Sequence, residues 1–275
     1  MQELPARPSR RGRALSAARL LTFMVSIATF PATGGFGADA PRTCSDGRLR
    51  VAIDIGHSRA HSGATSARRA PEYAFNARFA KELVAKSKHA LPPGSALDLF
   101  IHNPDGGEID LYARPRNARR MGAQVFISIH HDSVQDRHLV WRAVDGKSAQ
   151  QTPTIRGYSI FVSPRNPYFD ESRRLGLLMG RSFTIAQMKP TAHHAENISG
   201  ERRKFLDPEV GLYEAPFVVI ASATIPAVLV EVGVIANAAE EQDLNRPEYR
   251  ARAQLAILEA LSAFCAGQRA VERPD

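Results

Sequence analysis

Between residues 48 and 265, short apolar runs rich in β-branched side chains alternate with longer segments whose apolar residues recur at helical spacing. Such alternation builds a largely parallel sheet with helices packed on it, because parallel neighbours need a crossover of helix length. Arg48–Ile55, Ala96–Ile101, Val125–Ile129, Tyr158–Val162, Phe217–Ala221 and Ala227–Val232 read as strands. Glu72–Lys86, Leu111–Met121, Asp170–Ala186 and Glu248–Cys265 read as helices, the last with Ala251, Leu255, Leu258, Leu261 and Phe264 on one stripe. Residues 134–156 and Thr191–Gly211 read as loops. No internal repeat or second core is visible. The cluster Gly34-Gly35-Phe36-Gly37 follows no strand, which excludes a dinucleotide fingerprint.

Ligands of open α/β sheets bind beyond the carboxyl ends of the strands. Here those ends carry His57 after the first strand, His130-His131-Asp132 after the third and Glu231 in the last. Glu72 opens the helix that follows the first strand, at the same sheet edge. Two imidazoles and a carboxylate are ordinary zinc ligands, and three protein ligands leave one position open. His57, Glu72 and His130 are therefore candidate ligands. Consecutive strand residues point to opposite faces, so His130 and His131 cannot both ligate. Glu231, between Val230 and Val232, is an acid inside an apolar strand, costly unless it has a task. It is the candidate general base. The spacing of these residues is by itself a weak signal.

The surrounding blocks are more specific. Val51-Ala52-Ile53-Asp54-Ile55-Gly56-His57 leads to Gly63-Ala64, Glu72 and Asn76. Leu111, Arg114 and Ala118 precede Val125-Phe126-Ile127-Ser128-Ile129-His130. Pro226–Asn237 reads PAVLVEVGVIAN. In that order the blocks resemble the zinc-dependent N-acetylmuramoyl-L-alanine amidases of the amidase 3 family, over residues 48–265. The resemblance implies a three-layer α/β/α sandwich around a mostly parallel, roughly six-stranded sheet. It also implies one zinc ion per chain on His57, Glu72 and His130, with Glu231 catalytic. The implied reaction hydrolyses the amide between N-acetylmuramic acid and L-alanine in peptidoglycan. Ile55, Ser58, Arg59 and His131 depart from the family pattern, and the segment after Asp132 is longer than usual. These departures concern the cleft rim and substrate preference. A zinc peptidase acting within the stem peptide and an inactive wall-binding protein are the rival readings.

Asp132, Asp54 and Arg114 are candidates for a layer supporting the ligands; Asp132 is equally a turn former, and Arg114 suits a structural salt bridge better than a substrate clamp. His61, His89, His102, His138, His193 and His194 read as surface residues. Arg68-Arg69, Arg173-Arg174 and Arg202-Arg203-Lys204 read as solvated faces. The net charge is +8, of which +3 lies in residues 1–40 and +5 in the rest. That balance suits an anionic polymer such as the wall, but the basic runs lack the interleaved aromatics of a nucleic-acid surface.

Five arginines precede Leu20–Phe30, whose eleven residues span about 16 Å as a helix against the roughly 30 Å of a bilayer core. With the small, turn-prone residues 31–40 they read as an export signal rather than a membrane span. Residues 1–40 are thus expected to be a signal peptide and 41–275 the catalytic domain of an exported, periplasmic or secreted protein. Peptidoglycan is the expected partner, and a protein activator a further candidate. Cys44 and Cys265 are the two cysteines, and topology brings both to the amino edge of the sheet. A disulfide between them is expected in an oxidising compartment. The segment 133–156 is expected to be a mobile rim, with Trp141 as its apolar anchor in preference to a sugar-stacking residue.

Overall fold

The computed structural model describes residues 48–90 and 97–271. The expected signal peptide, its cleavage site and Cys44 lie outside the described residues. In chain order the elements are β1 (Leu49–Ile55), α1 (Glu72–Ala90), β2 (Leu97–Ile101), α2 (Ala113–Arg120) and β3 (Val125–Asp132). There follow β4 (Val140–Val144), β5 (Lys147–Gln151), β6 (Ser159–Val162), α3 (Phe169–Ile185), β7 (Phe205–Asp207) and β8 (Leu212–Glu214). The chain then forms α4 (Val218–Ala221), β9 (Ala227–Val234), α5 (Ala238–Asn245) and α6 (Pro247–Val271).

Seven strands form one sheet in the order β2-β1-β3-β9-β6-β8-β7. The pairs β1·β2, β1·β3, β3·β9 and β6·β8 are parallel; β6·β9 and β7·β8 are antiparallel. The central strands are buried on both faces, which is why they read as apolar runs without polar alternation. Alternation nevertheless sorts their side chains. Val51, Ile53, Ile55, Val125, Ile127, Ile129, Val228, Val230 and Val232 join the larger core with α1, α3 and α6. Ala52, Phe126, Phe161, Ala227 and Leu229 join the smaller core with Phe217, Val219 and Ile220. Asp54, Ser128, His130 and Glu231 share the parity of this second set. No described helix is long and apolar enough to cross a membrane.

Five expectations change. Phe217–Ala221 is not a strand: Val218–Ala221 is the short helix α4, buried under the second face. An apolar run this short has no period that separates strand from buried helix. The sheet has seven strands because β7 and β8 emerge from and just after a charged stretch that reads as loop. Residues 134–156 are not irregular: β4 and β5 form an antiparallel hairpin. Val144 and Ala149 of the hairpin bury against Ala67. Arg68 Nε donates to Asp145 Oδ2 at 2.7 Å and Arg69 Nη2 to the Ser148 carbonyl at 2.9 Å. So Arg68-Arg69 docks the hairpin instead of forming a solvated face. Trp141 is 66% exposed and therefore not its apolar anchor. Cys265, buried on α6, is disulfide-bonded.

Past the carboxyl end of β9, Asn237 caps α5 by accepting from the backbone N–H groups of Ala239 and Glu240. Glu240 turns back under the sheet edge and accepts from Gly157 N and Val234 N, both at 2.9 Å. Burial pushes the Glu240 carboxyl up to about 7, against the pull of those two N–H groups. The folded chain therefore holds this proton more tightly than the unfolded chain. Stability should fall as pH rises from about 4.5 through about 7, by up to about 3 kcal/mol. Glu240→Gln keeps an acceptor oxygen and removes the titration. Denaturant midpoints at pH 5 and pH 8 should differ less in the variant than in the parent; equal differences would exclude the assignment.

Candidate metal and catalytic site

The site is assembled where β1, β3 and β9 end side by side. Parallel pairing puts Asp54 beside Ser128, and His130 beside Glu231. His57 follows β1 with a φ of 67°, in the left-handed region that non-glycine residues rarely occupy. Its carbonyl is fixed by Arg114 Nη2 at 2.5 Å. Glu72, in the first turn of α1, comes back to the same place.

His57 Nε2 lies 2.9 Å from Glu72 Oε2, and His130 Nδ1 lies 2.9 Å from Glu72 Oε1. One ligand atom from each of the three residues falls within 4.8 Å of the others. The cradle leaves no slack. A Cβ on Gly56 would overlap the His130 ring, and a Cβ on Gly63 would overlap Glu72 Oε2 and the His57 ring. Glu72 is further held by Ala64 N at 3.0 Å and Asn76 Nδ2 at 3.1 Å. Burial would raise its carboxyl, but the hydrogen bonds and charge of His130 and His57 hold it well below the usual range. Burial lowers His130. Two imidazoles and an ionised carboxylate converging in this way have the chemistry of a divalent zinc-class site.

His131 points to the other face. Its Nδ1 pairs with Asn76 Oδ1 at 2.8 Å, and its ring packs on Phe75 and Phe79. Burial pushes it down to about 3, so it is a neutral core residue. Glu231 is buried, and its Oε2 has no hydrogen-bond partner. Burial first, then the Asp132 and Glu72 charges, push its carboxyl well above the usual range. It shares a cavity of about 230 Å³ with His57, Glu72 and His130. His57 and His130 also line a groove of about 490 Å³ walled by Leu111, Phe217, Val218 and Val219.

The supporting residues divide. Asp54 binds none of the three candidate ligands directly. It accepts from Ser128 Oγ at 2.6 Å, Asn103 Nδ2 at 3.1 Å and Arg114 Nη1 at 3.0 Å, and pairs with His102 Nε2 at 2.8 Å. Burial would raise Asp54, and Arg114 with His102 and Ser128 more than offsets it. Arg114 is the structural salt-bridge residue: it spans Asp54, the Ile55 carbonyl and the His57 carbonyl. Asp132 supports none of the three ligands by hydrogen bond; it faces His194 Nε2 at 2.8 Å. His102, His193 and His194 are buried, contrary to their reading as surface residues, because each finds an acid or hydroxyl partner distant in sequence or across a tight turn. For His194, burial is opposed by Asp132 and Glu201, which carry it up to about 9. His102 and Asn103 could have been suspected from their position at the end of β2. Nothing local singles out His193 and His194.

Arg114→Ala would strand a buried carboxylate and should cost about 3–5 kcal/mol. Arg114→Lys keeps the charge but cannot reach both carbonyls, and should cost about 1.5–3 kcal/mol. Denaturation in urea measures both; a neutral Ala variant would show that Asp54 needs no counter-charge.

A family model for N-acetylmuramoyl-L-alanine amidase, amidase 3, matches residues 51–263. The probable N-acetylmuramoyl-L-alanine amidase AmiB of Haemophilus influenzae is 30% identical over 245 residues, covering 80% of this chain and 53% of that protein. The chain thus spans about half the length of that relative. The N-acetylmuramoyl-L-alanine amidase AmiA of Salmonella typhimurium is 26% identical over 240 residues, covering 83% of this chain and 80% of that protein. Among solved structures, the catalytic domain of CwlV, an N-acetylmuramoyl-L-alanine amidase of Bacillus (Paenibacillus) polymyxa, superposes with a TM-score of 0.58 at 23% identity. It covers 78% of this chain and 97% of that one. The family match takes in β1, β3 and β9, whose ends carry His57, His130 and Glu231, and with it the chain belongs to the amidase 3 family of N-acetylmuramoyl-L-alanine amidases.

Proposed function

We propose that this chain is an exported zinc amidase that cuts peptidoglycan between N-acetylmuramic acid and L-alanine. The observation that carries the reading is the convergence of His57, Glu72 and His130 within 4.8 Å, beside the unpartnered Oε2 of Glu231. His57 Nε2, a Glu72 oxygen and His130 Nδ1 would hold the ion. Bound zinc supplies Lewis acidity and makes water a nucleophile near neutral pH.

The chain's own residues do the rest. Glu231 stands beside His130 across the β3·β9 pair, in the cavity the ligand residues line. The charge of a bound dication would favour the ionised Glu231 carboxylate, whose Oε2 would accept the proton of the attacking water as oxygen bonds to the lactyl carbonyl carbon. As the carbon–nitrogen bond breaks, Glu231 returns that proton to the leaving amine of L-alanine. The products are a lactyl carboxylate and a free stem peptide. The groove walled by Leu111, Phe217, Val218 and Val219 offers an apolar bed for substrate next to the ligands. The arginine-rich, short apolar amino-terminal segment supports export, and the +5 charge of residues 41–275 suits an anionic wall.

Digestion of purified muropeptides with mass analysis tests the bond. Intact stem peptides beginning with L-alanine are expected; fragments cut within the stem would make the chain a peptidase, and no product would make it a wall binder. Chelation should abolish hydrolysis, and added zinc should restore it. Full activity after verified metal removal would end the zinc reading. Glu231→Gln keeps the shape but cannot take the proton. It should lose about 10²–10⁴ in rate with zinc retained at the His57 site. A near-parental rate would remove Glu231 from the mechanism.

A further inference from the structure

A second group of metal-binding donors gathers at the end of β3, and the amide hydrolysis has no use for it. His193 Nε2 and His194 Nε2 both face Asp132 Oδ2, at 3.4 and 2.8 Å. One ligand atom from each residue lies within 4.8 Å of the others. The side chains of His193, His194 and Asp132 are only 3%, 7% and 8% exposed.

The far side of each imidazole is also engaged. His194 Nδ1 lies 3.1 Å from Glu201 Oε2, and His193 Nδ1 lies 3.0 Å from Thr191 Oγ1. Glu201 is itself held by Gln135 Nε2 at 3.3 Å. Glu201 can only accept, so it holds a proton on His194 Nδ1 and leaves Nε2 as the nitrogen for an ion. Thr191 can anchor His193 Nδ1 in the same way, as in metal-bound histidines whose other nitrogen is anchored. An ion pair with Asp132 would account for His194 alone. It leaves His193 unexplained, because its Nε2 is buried and makes no hydrogen bond. Such an orphan is costly unless something else takes the lone pair. The ring centroids stand 3.9 Å apart, too close for both to be comfortably cationic, and an ion taking the place of the proton between His194 Nε2 and Asp132 would leave two neutral imidazoles to share it.

We propose that Asp132, His193 and His194 form a second divalent-cation site of the zinc class. Two imidazole nitrogens and one carboxylate oxygen suit zinc or cobalt better than calcium or magnesium. Asp132 also lines the cavity that holds Glu231. Its occupant would tie the loop between α3 and β7 to the end of β3. The site stands independently of the His57 reading.

The test is metal content with thermal stability, on the purified chain equilibrated with zinc and desalted. Two equivalents are expected in the parent and one in His57→Ala. His193→Gln should also keep one, and the double variant none. Zinc a hundredfold above Kd should raise the melting temperature of His57→Ala by about 5–10 °C. One equivalent in the parent that His57→Ala abolishes, with no shift in melting temperature, would overturn the proposal even if His193→Gln failed to fold. One equivalent that survives His57→Ala and is lost in His193→Gln would instead support this site and overturn the first.

Discussion

Asp54 is a carboxylate with no exposed surface, and the approach to the candidate site is organised around it. Arg114, His102, Asn103 and Ser128 all converge on its two oxygens. These partners come from three segments, α2, the turn just after β2, and β3, and they meet Asp54 on β1. A buried charge left alone would cost several kcal/mol, so the four segments are obliged to meet. The same Arg114 guanidinium also grips the carbonyls of Ile55 and His57. Fixing Asp54 therefore fixes the backbone that presents His57 in its left-handed conformation. Asp54 touches no candidate ligand, yet the ligand geometry follows from its neutralisation.

That dependence explains what could be read in advance. The strand ends were legible because parallel α/β topology sends every β-to-α connection to one edge, and His57, Glu72, His130 and Glu231 all occupy such connections or the strand ends beside them. Strand alternation sends His130 and His131 to opposite faces, and the family resemblance, not the alternation, names His130; His131 lies against Phe75 and Phe79. The Arg114–Asp54 pair could be suspected as a salt bridge, though not the two carbonyls that complete it.

His194 and Arg68 escaped for one physical reason: their burial is compensated by partners far away in sequence. His194 sits in a stretch so charged that solvent exposure is the natural reading, but Asp132, 62 residues earlier, neutralises it. Arg68 reads as one of a solvated pair, while Asp145 and Glu241 wait on other elements. The β4–β5 hairpin leaves Val140 and Trp141 exposed and buries only Val144 and Ala149, too few residues to announce strands. Val218–Ala221 escaped for the opposite reason. Apolar on every side, it carries no period at all, and only its place beneath the second face decides for helix.

β3 shows how far one alternating strand can distribute chemistry. Residues of one parity, Ile127, Ile129 and His131, serve the larger core and the packing of α1. Those of the other parity change role along the strand. Phe126 fills the smaller core, Ser128 donates to Asp54, His130 meets Glu72, and Asp132 meets His194. Each step of two residues advances about 6–7 Å toward the carboxyl edge, from apolar packing through charge neutralisation to the two donor clusters. Pairing with β9 keeps His130 beside Glu231 and then slips before Asp132 meets Val234. Such an irregularity ends regular pairing and re-aims the side chains beyond it. Both donor clusters thus grow from one strand and face one side of the sheet, so any change that shifts β3 along its neighbours must disturb them together.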